Sequence, residues 1–168
     1  MFAAKPKSMT LTLRVLARLL SYPDAALRAH LDEMRDALRA EQALSAPRLA
    51  EIEALIASIE RQSAIDAEAD YVQLFDSGRS TSLHLFEHVH GDSRDRGPAM
   101  IDLVRTYEQA GLFLGEGQMP DHLPVVLEYA STQPPREARA FLAEIAHILN
   151  VILAALASTH GRRIEAAH

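Results

Sequence analysis

Apolar residues recur along this chain at helical spacing and nowhere alternate in a β-branched, strand-like pattern. From Met9 to Leu20, one face carries Leu13, Leu16 and Leu20 while a second carries Leu11, Val15 and Leu19, so this helix is expected to be enclosed on both sides. Tyr22-Pro23 stops it. Asp24 suits the N-cap of the next helix, where Leu27, Leu31, Met34 and Leu38 follow at spacings of four, three and four. Ser45 is expected to cap a third helix that tolerates Pro47 in its first turn and has the line Leu49, Ile52, Ile56 and Ile59. Asp66 is taken to open a fourth, carrying Tyr71, Leu74 and Phe75 until Asp76-Ser77-Gly78 breaks it.

Between Gly78 and Gly97 the periodicity fails, apart from a short turn expected around Leu83 to Val89. Pro98 then fits the first turn of a helix lined by Met100, Leu103, Val104 and Tyr107, which Gly111 and Gly115 weaken. After Met119-Pro120, Asp121 is suited to cap a short helix with Leu123, Val126, Leu127 and Ala130 facing inward and Pro124 in its first turn. Pro134-Pro135 separates this from a long last helix. Its stripe is Ala138, Phe141, Leu142, Ile145, Ile148, Leu149, Ile152 and Leu156, with Gly161 as the expected stop. The expected fold is all-α: a single domain over residues 1–168, a bundle of about seven helices with a long ordered central loop.

Composition narrows the function. With 168 residues, 48% apolar, one core suffices. Seventeen basic against 23 acidic residues, a formal charge of -6, leave no basic stripe for a nucleic acid. The absence of cysteine excludes disulfides and thiolate metal sites and fits a reducing compartment. Thr10, Thr12, Arg14 and Arg18 interrupt the apolar residues behind Lys5 and Lys7, so no signal-peptide core is expected. The longest apolar run, Val151 to Ala157, is far shorter than the ~20 residues of a bilayer span. A soluble, cytoplasmic protein without direct membrane insertion is expected.

The chemistry-bearing side chains crowd between Tyr71 and Ala130, centred on Ser82 to Gly97. His84-Leu85-Phe86-Glu87-His88 has the H-x-x-E-H spacing in which two imidazoles hold zinc and a glutamate activates water. A third ligand would have to come from Glu116, Glu128 or Glu144, and nothing selects one; His88, His90 and Asp92 form a looser set of the same kind. Histidines serving structure or recognition are the simpler reading. Arg79, Arg94, Arg96 and Arg105 lie among Asp76, Glu87, Asp92, Asp95 and Asp102, where arginine–carboxylate pairs can pin a long loop. A phosphate site there lacks any glycine-rich loop, and no serine elbow or cysteine nucleophile occurs. The acidic cluster Asp66, Glu68 and Asp70 is a solvated helix face or, in a functional reading, an attraction for a basic peptide.

Six segments together resemble one family: Leu19-Leu20-Ser21-Tyr22-Pro23-Asp24, Tyr71-Val72-Gln73-Leu74-Phe75-Asp76, Gly78 to Leu83, Leu85 to Gly91, Ser93 to Gly97, and Met119 to Pro124. From about Leu13 to Leu156 the chain is similar to the NarJ-type assembly chaperones of respiratory nitrate reductase, the delta subunit, relatives of the TorD and DmsD chaperones. The resemblance implies a non-catalytic helical chaperone with no cofactor of its own. Its partner would be the N-terminal tail of the apo catalytic (alpha) subunit, held until the molybdenum cofactor is inserted and before membrane docking. By the same resemblance, Tyr71, Leu74 and Phe75 match an aromatic helix motif, and Asp121 and His122 match a Pro-Asp-His element. The block Leu85 to Arg96, with Phe86, Glu87, His88, His90 and Arg94, matches a segment peculiar to the nitrate reductase branch. It also implies a further helical and polar region beyond Gly161. Either the chain is truncated or a face normally covered lies open, and a homodimer through the last helix is then expected.

A client tail forming an amphipathic helix would lay its apolar face in a groove, with acids at the rim favouring its basic residues. Leu74, Phe75, Leu83 and Phe86, with parts of Tyr107 and Leu127, are expected to wall that groove; Asp121 and His122 would position its edge. The competing expectation is that Tyr71, Phe75, Phe86 and Leu127 are simply core. Client binding through His122 would vary with pH. Three classes therefore stand: a client-binding chaperone, tested by peptide titration; a zinc hydrolase, tested by metal analysis and His88→Ala; and a structural helical module for another client, tested by sizing.

Overall fold

The computed structural model describes residues 1–5 and 7–166, with side chains described as far as Arg162 in the last helix. Eight α-helices occur among these residues: α1 (Thr10–Leu19), α2 (Ala25–Ala29), α3 (Leu31–Glu41), α4 (Ala46–Arg61), α5 (Ala64–Phe75), α6 (Arg96–Gln109), α7 (Leu123–Thr132) and α8 (Pro135–Ala166). Two 3-10 turns, Arg79–Thr81 and Leu85–Glu87, lie in the connection between α5 and α6. The all-α expectation holds, with a single isolated β-bridge, His84 to His122, among the described residues.

α1 is the shared wall of two apolar cores, as its two apolar faces require. One face contributes Leu13 and Ala17 to a core with Leu83, Leu85, Leu123, Val126, Leu127, Ala130, Ile148 and Ile152. The other contributes Val15 and Leu19 to a core with Leu27, Leu31, Met34, Leu38 and Ile56. The first turn of α1 contains no acid and no side-chain cap of its own. Its free N–H groups are taken from a distance: Leu11 and Thr12 donate to the Glu41 carboxylate at 2.9 and 2.8 Å. Burial pushes the Glu41 carboxyl up, but these N–H donors more than offset it and hold the group below its usual range. Helix start and helix end are joined across 29 residues of chain.

Several boundaries differ from those the periodicity suggests. The helix expected from Asp24 to Leu38 is divided at His30, whose φ of -112° and ψ of 13° interrupt the helical dihedrals. Leu27, Leu31, Met34 and Leu38 all remain buried, because the break rotates the chain without moving the apolar stripe off the core. Asp24 does cap α2, accepting from the Leu27 N–H at 2.8 Å. Ser45 stands at the N-cap of α4 but makes no side-chain bond there. Asp66 does not open α5; Ser63 caps it and accepts from the Asp66 N–H at 3.1 Å. A free donor one turn in was the real signal, and serine meets it as well as aspartate.

The last helix runs on past Gly161 to Ala166. A glycine costs a helix interior only about 1 kcal/mol relative to alanine, so it need not terminate one. Pro135–Arg162 of α8 is long and apolar enough to cross a membrane by length and composition, which the short run Val151 to Ala157 had concealed. Only Glu144, His147 and Asn150 interrupt the apolar residues from Ala140 to Ala157. Ile148 and Ile152 of this helix lie in the core with α1 and α7.

Candidate functional site

Two short triplets with the same alternation, Leu83-His84-Leu85 and Asp121-His122-Leu123, meet as antiparallel strands of minimal length. The Leu123 N–H donates to Leu83 O at 2.8 Å and the Leu85 N–H donates to Asp121 O at 3.0 Å. Leucines on either side point into the core: Leu83, Leu85 and Leu123 are all buried. Period-two alternation therefore leaves His84 and His122 on the opposite face, stacked with ring centroids 4.7 Å apart and 21° between planes. His122 is the N-cap position of α7 and makes no side-chain cap bond.

Asp121 does not cap α7. It is 0% exposed, and its Oδ2 accepts from the Phe86 N–H at 3.0 Å, so it fastens the second 3-10 turn instead. Its Oδ1 has no hydrogen-bond donor and lies 3.7 Å from His84 Nδ1, an electrostatic contact too long for a hydrogen bond. Burial pushes the Asp121 carboxyl up, but the polar contact with His84 and the Phe86 N–H hold it below its ordinary value. Asp121 in turn raises the His84 pKa, first as a polar neighbour and then by its charge, against partial burial. Burial lowers His122, and a charged His84 beside it lowers it further. The stacked pair thus holds one proton more readily than two.

Around the C-terminal end of α1 three depressions adjoin. The first, about 470 Å³, is apolar: Leu55 and Ile59 of α4 face Tyr71, Leu74 and Phe75 of α5, with Asp70 at its margin and His160 of α8 at one side. The second, about 420 Å³, runs from Phe75 and Asp76 to His84 and Glu87. The third, about 460 Å³, is lined by Arg18, His84, Met119, His122 and Glu128 among others. Phe75 borders the first two, His84 the last two, and Ser21 the first and third. Tyr71 anchors the apolar end: its hydroxyl donates to Leu20 O at 2.8 Å, its ring meets Tyr22 edge-on and Phe75 at 5.0 Å, and burial raises its pKa to about 12.

This arrangement can be set beside known proteins. Residues 20–161 match the family described as nitrate reductase delta subunit. The chain belongs to that family. It is 46% identical over 148 residues to the nitrate reductase molybdenum cofactor assembly chaperone NarJ of Escherichia coli K12, covering 88% of this chain and 63% of that relative. It is 39% identical to NarW of the same strain, covering 83% and 58%, and 32% identical to NarJ of Bacillus subtilis, covering 77% and 70%. The chain thus spans under two thirds of the length of both E. coli relatives. Among solved structures it is similar to an Archaeoglobus fulgidus protein assigned by name to redox enzyme maturation, with a TM-score of 0.59, 21% identity and coverage of 94% and 93%. That likeness shows the shared fold.

Within this family member the residues singled out from the sequence divide into groups. Tyr71, Leu74 and Phe75 share the apolar depression, Glu87 lines the second and His122 the third, with Asp121 beneath. Leu83, Tyr107 and Leu127 are core residues rather than walls of one groove. Tyr107 donates its hydroxyl to Pro120 O at 2.7 Å, and burial raises its pKa well above the phenolic norm. Phe86 packs on the first core and meets His90 edge-on at 5.1 Å. Arg94 is exposed and joins none of the ion pairs of the described residues.

The H-x-x-E-H segment crosses a 3-10 turn, not an α-helix, so its imidazoles do not stack one α-turn apart. His88 Nε2 lies 2.7 Å from Ser82 O, which makes that nitrogen a donor. Glu87 is held by Arg96 at 2.9 Å and Arg79 at 3.7 Å. No three His, Asp or Glu side chains among the described residues are grouped to hold a metal. Arginine pinning of the loop is realised by Arg79, paired also with Asp92 at 3.3 Å, and by Arg96, which reaches Gly91 O. The contribution of Arg18 to the third depression has no sign in the sequence, since it belongs to no motif, while Ser21 and Met119 fall within segments that carry the family resemblance and Glu128 among the possible metal ligands, none of them marked for this wall; the paired Leu-His-Leu and Asp-His-Leu triplets are the one available sign of the bridge.

Proposed function

We propose that this chain is a system-specific, non-catalytic assembly chaperone, acting in the cytoplasm on the apo catalytic subunit of a respiratory nitrate reductase. It binds that subunit's N-terminal tail and holds the subunit for molybdenum cofactor insertion and for later docking at the membrane, with no cofactor of its own. Support comes first from the relatives, two of which are named as assembly chaperones for the molybdenum cofactor of nitrate reductase.

The observation that carries the tail-binding part is the apolar depression at Tyr71, Leu74 and Phe75, with Asp70 at its margin and Asp76 in the adjoining one. Apolar side chains of an amphipathic helix fill such a cleft, and rim carboxylates favour basic residues beside them. Neighbouring acids Asp66 and Glu68 extend the same field in a chain of net charge -6. Calorimetric titration with a synthetic client tail tests the reading. A saturable heat is expected, and Leu74→Asp should weaken binding about tenfold or more. Absence of heat with demonstrably folded protein, or undiminished binding by Leu74→Asp, removes it.

A further inference from the structure

The end of α6 builds a smaller cavity beside the third depression. The Leu112 N–H donates to Tyr107 O and the Gly111 N–H to Glu108 O, both at 2.9 Å, and Gly111 stands at φ 77°. Paired bonds of this kind close a helix and set the residue after the glycine against its last turn, which brings Leu112 to Tyr107. On α7, Val125, Glu128, Tyr129 and Thr132 recur at spacings of three, one and three, a face beside the one that enters the first core. Between this face and the loop lies a cavity of about 100 Å³, lined by Tyr107, Tyr129 and Glu128 and by Phe113, which is 78% exposed.

Positive charge is missing from this part of the molecule. No lysine or arginine of the described residues lines the cavity, and none occurs from Thr106 to Pro135, a stretch that holds Glu108, Glu116, Asp121 and Glu128. Arg18 shares the third depression with Glu128 but pairs with Asp24 at 3.7 Å. Glu128 joins no ion pair of the described residues.

We propose that this cavity takes the guanidinium of one arginine on the client tail, a step that rests on the client reading and names a side chain the tail must carry. Continuity comes first. Gln118, Val125 and Glu128 border both the cavity and the third depression, so a tail lying along that depression passes the cavity. Size selects one side chain: a cavity of roughly 150 Å³ admits benzene, and about 100 Å³ suits the end of a side chain and not a helix face. Chemistry selects the cation. Aromatic rings attract a positive charge, and a planar, weakly hydrated guanidinium also meets a carboxylate with two N–H groups, whereas an ammonium is strongly hydrated. A leucine in the same place would take water from Glu128 and return no counterion. The walls are held in advance: the Tyr107 hydroxyl is fixed on Pro120 O at 2.7 Å, the Tyr107 and Tyr129 rings lie 4.9 Å apart, and Tyr129 meets Phe141 edge-on at 4.9 Å.

Proton NMR of the 168-residue chain with acetyl-arginine amide tests the cavity without the tail. Saturable shifts of the Phe113 and Tyr129 ring signals are expected, absent with acetyl-citrulline amide, which keeps the shape and lacks the charge, and lost in Glu128→Gln. Glu128 is exposed on α7, so circular dichroism of this variant should match the parent. In calorimetry, Glu128→Gln should weaken an arginine-bearing client tail about tenfold and leave unchanged the same tail with citrulline in place of arginine. Ring signals that stay still, or that move equally with acetyl-leucine amide, overturn the site. Rings that respond while Glu128→Gln affects both tails alike overturn its use by the client. A tail that binds no form of the chain removes the client reading, and the arginine amide still decides whether the cavity takes a cation.

Discussion

The core between α1 and α2–α4 and the core between α1, α7 and α8 are similar in apolar content and differ in what holds them. In the first, each helix brings a stripe at regular spacing, and polar contacts only trim the edges. Arg35 reaches Glu60 at 2.6 Å and Arg39 reaches Glu53 at 2.6 Å across the exposed side of α3 and α4. Arg28 closes the end of α4 by donating to Ile59 O and Gln62 O at 2.9 and 2.7 Å, where a cation also meets the helix dipole favourably. In the second, much of the wall is loop. Leu83 and Leu85 are held in place by the bridge to Asp121 and Leu123, by the Thr81 hydroxyl on Leu74 O, and by the Tyr107 hydroxyl on Pro120 O. Regular helices bring their own hydrogen bonds to a core; a loop that enters one must find partners elsewhere. The proposed client site lies where the two constructions meet, at the end of α1.

The largest effect should come from the helical core. Ile56 is 0% exposed, and Ile56→Ala should cost about 2–5 kcal/mol in urea denaturation. A single transition is expected, because α1 belongs to both cores. Two separate transitions would break the picture of a shared wall.

Next in size is the buried carboxylate. Asp121→Ala leaves the Phe86 N–H without its acceptor and should cost about 1–3 kcal/mol; Asp121→Asn, which keeps an acceptor oxygen, should cost less. Proton NMR should also show the His84 pKa falling in both variants. If Asp121→Ala is as stable as the parent, the polar bridge does not hold the loop core.

The histidine pair predicts a smaller effect with opposite signs on either side of the ordinary imidazole value of 6.5. His84 is raised on folding, so its contribution is complete below 6.5 and is lost as pH rises through its higher folded pKa. His122 is lowered, so its contribution is complete above 6.5 and is lost as pH falls through its lower folded pKa. Denaturation midpoints should therefore be highest near that pH. Replacing His84 by Gln should flatten the alkaline side and replacing His122 by Gln the acid side; the reverse assignment would show that the ring environments have been exchanged. The smallest effect belongs to the exposed pairs. Arg39→Gln, whose side chain is 59% exposed, should leave the midpoint within measurement scatter, and a clear loss would mean that α3 and α4 depend on charge as the loop core depends on polar contacts.

These differences also explain how much was legible beforehand. The stripe Leu27, Leu31, Met34 and Leu38 reads correctly even though the helix is cut at His30, because burial follows side-chain spacing more closely than it follows backbone continuity. Tyr71, Leu74 and Phe75 were visible as a patterned group on one helix, and they do line one depression. Leu83, Tyr107 and Leu127 look equally suited to a groove in sequence. Their enclosure depends on which distant segment lies over them, and periodicity carries no information about that. Asp121 had the residue type, position and flanking proline of an N-cap, and a donor 35 residues away took its carboxylate instead.

Helix content, the double-faced character of α1 and membership of the delta subunit family follow from residue order, because local spacing and short motifs are properties of neighbours in the chain. Tertiary structure alone decided that Asp121 serves the Phe86 turn, that Glu41 caps α1, and that His84 and His122 stack with unlike proton affinities. Each of these requires a free donor or a charge to be met by a group far away in sequence, and only the packed chain brings the two within reach.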